Sequence, residues 1–175
     1  EASAASQAAG PRGKSIRLVS QAASAINGDV RTTSNQLRHE LALLVAERKG
    51  PHGAVVVVST AGPMTRAELE LVQGVGDPLS LPDLLPVGPA SAGQSWKLPM
   101  SAALALSDYD SVKSNGLEAT LEEVNEQSAR IRVKGEVKGT ARAGEGTIVL
   151  DGAATFDREA GLVSQLELTR TENRQ

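Results

Sequence analysis

The sequence contains no cysteine, and its aromatic residues amount to one Phe, one Trp and one Tyr. The absence of cysteine excludes disulfide frameworks, zinc sites with thiolate ligands and cysteine nucleophiles. The shortage of aromatic rings disfavours base stacking, and therefore a nucleic-acid partner. Any core must instead be built from Ala, Val, Leu and Ile.

Long apolar runs and a strong net charge are also missing. Unbroken apolar stretches such as 54–58 are far shorter than the roughly 20 residues that a membrane-spanning helix needs. The net charge of −3 provides no basic excess to attract phosphate backbones. The acidity is concentrated in the middle, with net charges of +3 over 1–60, −7 over 61–127 and +1 over 128–175. We interpret the acidic middle as a solvated surface, and we expect a soluble protein with neither a nucleic-acid partner nor a transmembrane segment.

The first 14 residues are rich in Ala, Ser and Gln, which predicts a flexible leader. The remaining 15–175 have an ordinary length for one compact domain, and we predict a single β-rich domain there. The chain opens without Met, which indicates a removed signal peptide; an arbitrary boundary is the alternative. A secreted, periplasmic or cell-surface location follows from the first interpretation.

Alternating apolar residues predict a half-buried strand over 15–26, followed by turn chemistry at 27–29. The next segment, 34–48, fits two patterns. A helical stripe is formed by Leu37, Leu41, Leu44 and Val45, whereas Leu37, Leu41, Leu43 and Val45 share one face of a strand. The β-branched run that follows a Gly-Pro turn favours a hairpin. We predict a strand over 34–48 paired with 54–60, with the helix as the alternative.

Two short helices are predicted in the middle of the chain. Thr65 and Glu68 have the spacing of a capping box, which predicts a helix over 66–72. A Pro-rich connection over 77–92, with Leu84 and Leu85 buried beneath it, leads to Pro99. Pro99 suits the first turn of a helix through Leu106. Its buried face is predicted to contain Met100, Ala103 and Leu104.

After Asn115-Gly116 the pattern becomes strictly alternating, and four successive antiparallel strands are predicted. The last two strands flank a turn over 157–161, where Gly161 suits a left-handed position. Charged residues on the polar face are expected to form cross-strand ion pairs; they are Glu118, Glu122, Arg130, Arg132 and Lys134.

Catalytic and metal-binding motifs are incomplete wherever they begin. Gly139 and Gly144 have the spacing of phosphate-loop glycines, but Glu145-Gly146 stands where a Lys-Ser/Thr pair is needed. Residues 93–97 start like a nucleophile elbow and lack its second glycine, and His39 and His52 lack the spacing of a zinc site. The pair Asp108 and Asp110 lacks the further oxygen ligands of a calcium loop. We therefore predict no catalytic residues, no metal site, no cofactor and no enzymatic activity.

Four segments, in this order, resemble a group of secreted β-rich proteins of planctomycete-type bacteria: GPMTRAELELV at 62–72, LPDLLP at 81–86, GQSW at 93–96 and FDREAG at 156–161. The resemblance spans about 16–174 and implies an exported β-rich fold. It assigns no functional residue. More distantly, a curved sheet around a short helix resembles the half-barrel of periplasmic lipoprotein carriers and mycobacterial lipid-binding lipoproteins, an analogy of fold alone.

The predicted architecture is α+β, a mostly antiparallel sheet of about seven strands, curved or half-barrel in shape and packed on one or two short helices. An apolar ligand such as a lipid is the first hypothesis, bound between sheet and helix by Trp96, Met100, Leu104 and Val133. The alternative is a structural or protein-interaction module of a cell-surface assembly, which makes contact through the acidic segment or an open sheet edge. No oligomeric state is predicted.

Overall fold

The computed structural model describes residues 13–19, 23–27, 32–50, 55–73, 75–141 and 144–174. They form two compact units, divided between Leu79 and Ser80. Antiparallel strands in open sheets dominate, with two short helices, so the predicted α+β class is confirmed. The leader over 1–14 and the single domain over 15–175 stay predictions, since 1–12 lie outside the described residues; Lys14 begins the first strand.

The first unit contains a three-stranded sheet in the order β1-β4-β5 and a separate two-stranded pair, β2-β3. The single strand predicted over 15–26 is wrong, because two strands from different sheets occupy that segment. The turn predicted at 27–29 lies mostly outside the described residues. The elements are β1 (Lys14–Leu18), β2 (Ala23–Asn27), β3 (Thr32–Gln36), β4 (Leu43–Arg48), β5 (Val55–Ser59) and helix α1 (Arg66–Val72).

Both patterns seen in segment 34–48 have a structural origin. A short 3₁₀ turn over His39–Leu41 interrupts the predicted strand, and β4 follows it and pairs with β5 as expected. Leu41 and Leu44 are both buried and are three residues apart, which is the spacing of a helical turn. Leu44 and Ala46 are both buried and are two residues apart, which is the spacing of a strand. The turn shifts the parity, so Leu43 is exposed and the predicted strand face is wrong.

The predicted capping box at the start of α1 is confirmed. The Thr65 hydroxyl accepts a hydrogen bond from the Glu68 amide at 3.3 Å, and the Thr65 amide donates to the Glu68 carboxylate at 2.8 Å. The Arg38 guanidinium donates two hydrogen bonds, of 2.6 and 2.9 Å, to the same carboxylate. These contacts hold the pKa of Glu68 down at about 2, chiefly through the Arg38 bonds and then through the Thr65 amide.

We expect the charge of Glu68 to stabilise the fold fully above about pH 4.5, its unfolded value, and progressively less as the pH falls towards 2. Glu68→Gln keeps the capping geometry but removes the titrating charge. Its unfolding free energy should therefore change less between pH 5 and pH 2 than that of the wild type, in urea titrations followed by far-UV circular dichroism. Glu70→Gln, an exposed change on the same helix that leaves the contacts of Glu68 with Arg38 and Thr65 in place, serves as the control. Parallel pH profiles for wild type and Glu68→Gln would contradict the prediction.

A second ion pair fixes the segment that closes the first unit. Arg17 of β1 makes two hydrogen bonds of 2.7 and 2.8 Å to Asp77, whose carboxylate also accepts from the Leu79 amide at 2.9 Å. Leu79 is thereby placed in a small core with Leu44 and Val57. This core lies under one face of the three-stranded sheet.

The second unit is built on one six-stranded sheet, in which β11-β10-β9-β8-β6 are successive neighbours and β7 also pairs with β9. The predicted single sheet of about seven strands is therefore wrong for the described residues, whose strands form three sheets. A 3₁₀ turn over Leu81–Leu84 buries Leu84 as predicted. The elements are β6 (Ser95–Lys97), helix α2 (Met100–Ser107), β7 (Ser111–Asn115), β8 (Glu118–Val124), β9 (Ser128–Ala141), β10 (Gly144–Asp157) and β11 (Leu162–Arg174).

The four successive antiparallel strands predicted for the C-terminal half are confirmed as β8 to β11. Their apolar positions are buried on one face, and the polar face carries ion pairs, including Arg130 with Glu122 at 3.3 Å. The turn between the last two strands has Gly161 in the left-handed region, with φ of 69°. Alternation and turn chemistry were therefore sufficient to place this sheet.

Helix α2 starts at Met100 with Pro99 as its cap, one residue later than predicted. Its buried residues are Ala102, Ala103, Leu106 and Ser107, whereas Met100 and Leu104 are exposed. Of the predicted buried face, Ala103 is buried, whereas Met100 and Leu104 are not. The helix is apolar nearly all round, so that periodicity could not distinguish its sides.

Candidate functional site

The four residues predicted to bind an apolar ligand do not lie together on one surface. Val133 is fully buried, and Trp96 is half-buried against the same core, where its Nε1–H donates to the Leu84 carbonyl at 3.2 Å. Met100 and Leu104 lie on the exposed side of α2. The structure thus brings two of the residues into one core and separates the other two from it.

Side chains occupy the region between α2 and the sheet. Ala102 and Ala103 of the helix belong to the same buried cluster as Ala119 and Val133 of the sheet. Small residues on both sides allow helix and sheet to approach closely, and this closes the space that larger residues would hold open.

The polar face of the large sheet has an open groove of about 470 Å³. Its main feature is Arg132, whose guanidinium lies 2.5 Å from an Asp151 carboxylate oxygen. The same oxygen, and Nε of Arg132, are buried without a well-directed hydrogen bond, so the contact is an ion pair of poor angular geometry. The two opposite charges offset each other across this contact.

Within the described ranges, no group of three or more acidic or His side chains is placed to hold a metal ion. His39 is exposed, and His52 lies outside the described residues. No helix of the described part is long and apolar enough to cross a membrane.

The most unusual surface is one face of the three-stranded sheet. Strand register places Ile16 beside Val45 and Val45 beside Val58, and residues two positions along each strand share their face. Ile16 and Leu18 are each 78% exposed. We call this surface the aliphatic face; its six members are Ile16, Leu18, Leu43, Val45, Val56 and Val58, and all except the half-buried Val45 are exposed.

Contiguous apolar patches on soluble monomers rarely exceed a few hundred Å², and the largest of them is often functional. The opposite side of the same sheet already carries the buried residues Leu44, Ala46 and Val57. The core of this unit therefore lies against the other face of the sheet, and the aliphatic face is not part of it.

Charged residues lie at one end of the aliphatic face. Glu47 is opposite Lys14 on one side and Val56 on the other. Its carboxylate is 2.8 Å from the Lys49 ammonium and 3.6 Å from that of Lys14. The hydrogen bond from Lys49, with a smaller contribution from Lys14, lowers the pKa of Glu47. The face thus has an aliphatic centre and, at one end, a charged rim of Lys14, Glu47 and Lys49. Polar margins also border the apolar centres of protein interfaces.

The aliphatic face was not predicted, although the sequence carries a signal for it. In 41–46 and 54–58 the residues of both strand parities are apolar. Such runs are typical of strands covered on both faces. In a small sheet with one core, the second apolar face must be covered by another part of the chain or by another molecule, or else face water.

In the comparisons with known proteins, no family model, no curated protein and no solved structure matches this chain.

Proposed function

We propose that this protein is a noncatalytic protein-interaction module whose contact surface is the aliphatic face. The observation that carries the proposal is the set of exposed aliphatic residues on neighbouring strands, with Ile16 and Leu18 largely exposed. Burying such side chains contributes about 25 cal/mol per Å² of apolar surface, and this is the main driving force of protein association.

The shape of the surface favours a polypeptide occupant. The aliphatic face is spread over three strands instead of lining a cavity, and small ligands bind mainly in concave pockets. The charged rim of Lys14, Glu47 and Lys49 supports the same assignment, since rim charges orient a partner without contributing much affinity.

The hypothesis of an apolar ligand between α2 and the large sheet stays a prediction. The close packing of Ala102 and Ala103 and the outward placement of Met100 and Leu104 weigh against it. The exported location likewise stays a prediction.

Site-specific photo-crosslinking tests the proposed function. Leu18 on the aliphatic face and, in a second variant, Val149 on the large sheet are replaced by benzoylphenylalanine in the cells that produce the protein. Val149 is a matched control because it is exposed and lies between Glu136 and Thr171, which are polar. We expect a discrete polypeptide adduct at position 18 and none at position 149.

The captured polypeptide must then bind the purified wild-type chain. Leu18→Lys should weaken this binding by about tenfold or more, because it replaces a largely exposed apolar side chain of the contact surface by a charge, and Val149→Lys should not. Equal labelling at both positions, or adducts with lipid alone at position 18, would overturn the proposal.

A further inference from the structure

We infer that a second copy of the same chain adds its β5 to the open edge of β5, antiparallel about a two-fold axis. This inference goes beyond the proposed function, because strand addition uses the edge of the sheet and leaves its aliphatic face available to another partner. The result is a continuous six-stranded sheet in the order β1-β4-β5-β5-β4-β1, with the aliphatic faces of both copies on one side.

The edge of β5 carries none of the features that usually block strand addition. Among the described residues β5 pairs only with β4, so its other side is an open edge. Its sequence is Val-Val-Val-Val-Ser, without charge, proline or glycine. Edge strands of this type readily accept another strand. The opposite edge, β1, carries the exposed Lys14, and a charge of this kind discourages further addition, so that assembly should stop at two copies.

The hydrogen-bonding pattern of β5 fits pairing with itself. The Thr60 amide donates to the Leu43 carbonyl at 3.1 Å, so these two form a hydrogen-bonded pair. Such pairs alternate along antiparallel strands, which leaves the backbone groups of Val55, Val57 and Ser59 directed at the open edge. A two-fold axis at Val57 therefore makes Val57 and the partner's Val57 a hydrogen-bonded pair, with Val55 opposite the partner's Ser59.

The side chains fit this register as well. Directly opposite residues of antiparallel strands lie on the same face of the sheet. Val56 would lie opposite the partner's Val58, and both belong to the aliphatic face. The charged rim lies near the Val55 end of β5, so the two-fold axis sets it beside the uncharged Ser59 end of the other copy. No like charges are opposed.

A second copy is favoured over an unrelated strand because of symmetry. Two identical edge strands that pair about a two-fold axis run antiparallel to each other. Two-fold dimers are also the commonest oligomers. The chain itself thus supplies a strand of matching length, composition and hydrogen-bonding phase.

Sedimentation velocity of the purified full chain over about a hundredfold range of concentration tests the inference. We expect the mass to rise from one chain towards two. Val58→Lys, which places a charge opposite the partner's Val56, should remain at one chain with an unchanged circular dichroism spectrum. Val149→Lys should dimerise like the wild type.

Hydrogen exchange of the wild-type chain provides a test that does not depend on a variant. The peptide covering Val55–Ser59 should become more protected at high concentration, because the outward amides acquire partners. A wild type that stays at one chain throughout, or dimerises without protection of β5, overturns the inference. A single-chain wild type that still yields a Leu18-site adduct with a different polypeptide overturns the second copy but leaves the proposed function standing.

Discussion

Leu106→Ala is expected to lower the free energy of unfolding by about 2–5 kcal/mol, the usual range for a buried leucine in a packed core. Leu106 is 1% exposed and lies in the main buried cluster of the second unit. Removing its branched end leaves a cavity beside Ala103 that the rigid sheet cannot fill by relaxing. The measurement is urea unfolding followed by far-UV circular dichroism.

Leu104→Ala is the matched control on the same helix. Leu104 is 37% exposed, so the same substitution should lower the free energy of unfolding by much less than Leu106→Ala does. Both variants replace Leu by Ala and gain the same helix propensity. The difference between their free energies of unfolding therefore reports the burial of the two leucines alone. An equal or larger loss for Leu104→Ala would show that the buried face of α2 is the one predicted from the sequence.

Gly152→Ala should destabilise the second unit by about 3 kcal/mol, the upper end of what overpacking usually costs. A Cβ added at Gly152 would lie 2.2 Å from the backbone oxygen of Glu167 and 3.0 Å from Cα of Leu168. Both atoms belong to the backbone of β11, which cannot move aside without breaking its pairing with β10. We expect a lower urea midpoint and a folded state with altered exchange rates along β11.

Gly88→Ala provides the comparison, since an added Cβ there meets no atom within 4 Å. Its urea midpoint should equal or slightly exceed that of the wild type, because alanine restricts the unfolded chain. A Gly152→Ala protein with wild-type stability would mean that β10 and β11 can separate at this point at little cost.

The parts of the fold that the sequence predicted correctly depend on short-range chemistry. The capping box of α1 consists of Thr65 and Glu68, three residues apart, and the side chains contact the backbone of the same turn. The last four strands combine clean alternation with turn residues such as Gly161. In both cases the deciding interactions lie within a few residues, or between strands adjacent in sequence.

The incorrect predictions concern segments with apolar residues on all sides of a helix or on both faces of a sheet. In α2, Leu104 and Leu106 are equally apolar, and only packing against the sheet decides that Leu106 is buried. In β1, alternation correctly grouped Ile16 with Leu18 but could not tell which face of the sheet has a core beneath it. The candidate site was missed for this reason, since exposure of an apolar row is a property of the assembled sheet.

All three aromatic residues, Trp96, Tyr109 and Phe156, lie in the second unit. Tryptophan fluorescence and near-ultraviolet circular dichroism therefore follow that unit alone, while far-ultraviolet signals follow both. Coincident transitions by these probes would show that the two units unfold as one cooperative system, and separated transitions would show two. The uneven distribution of aromatic rings thus gives the wild-type chain a built-in, label-free reporter of whether its halves are thermodynamically coupled.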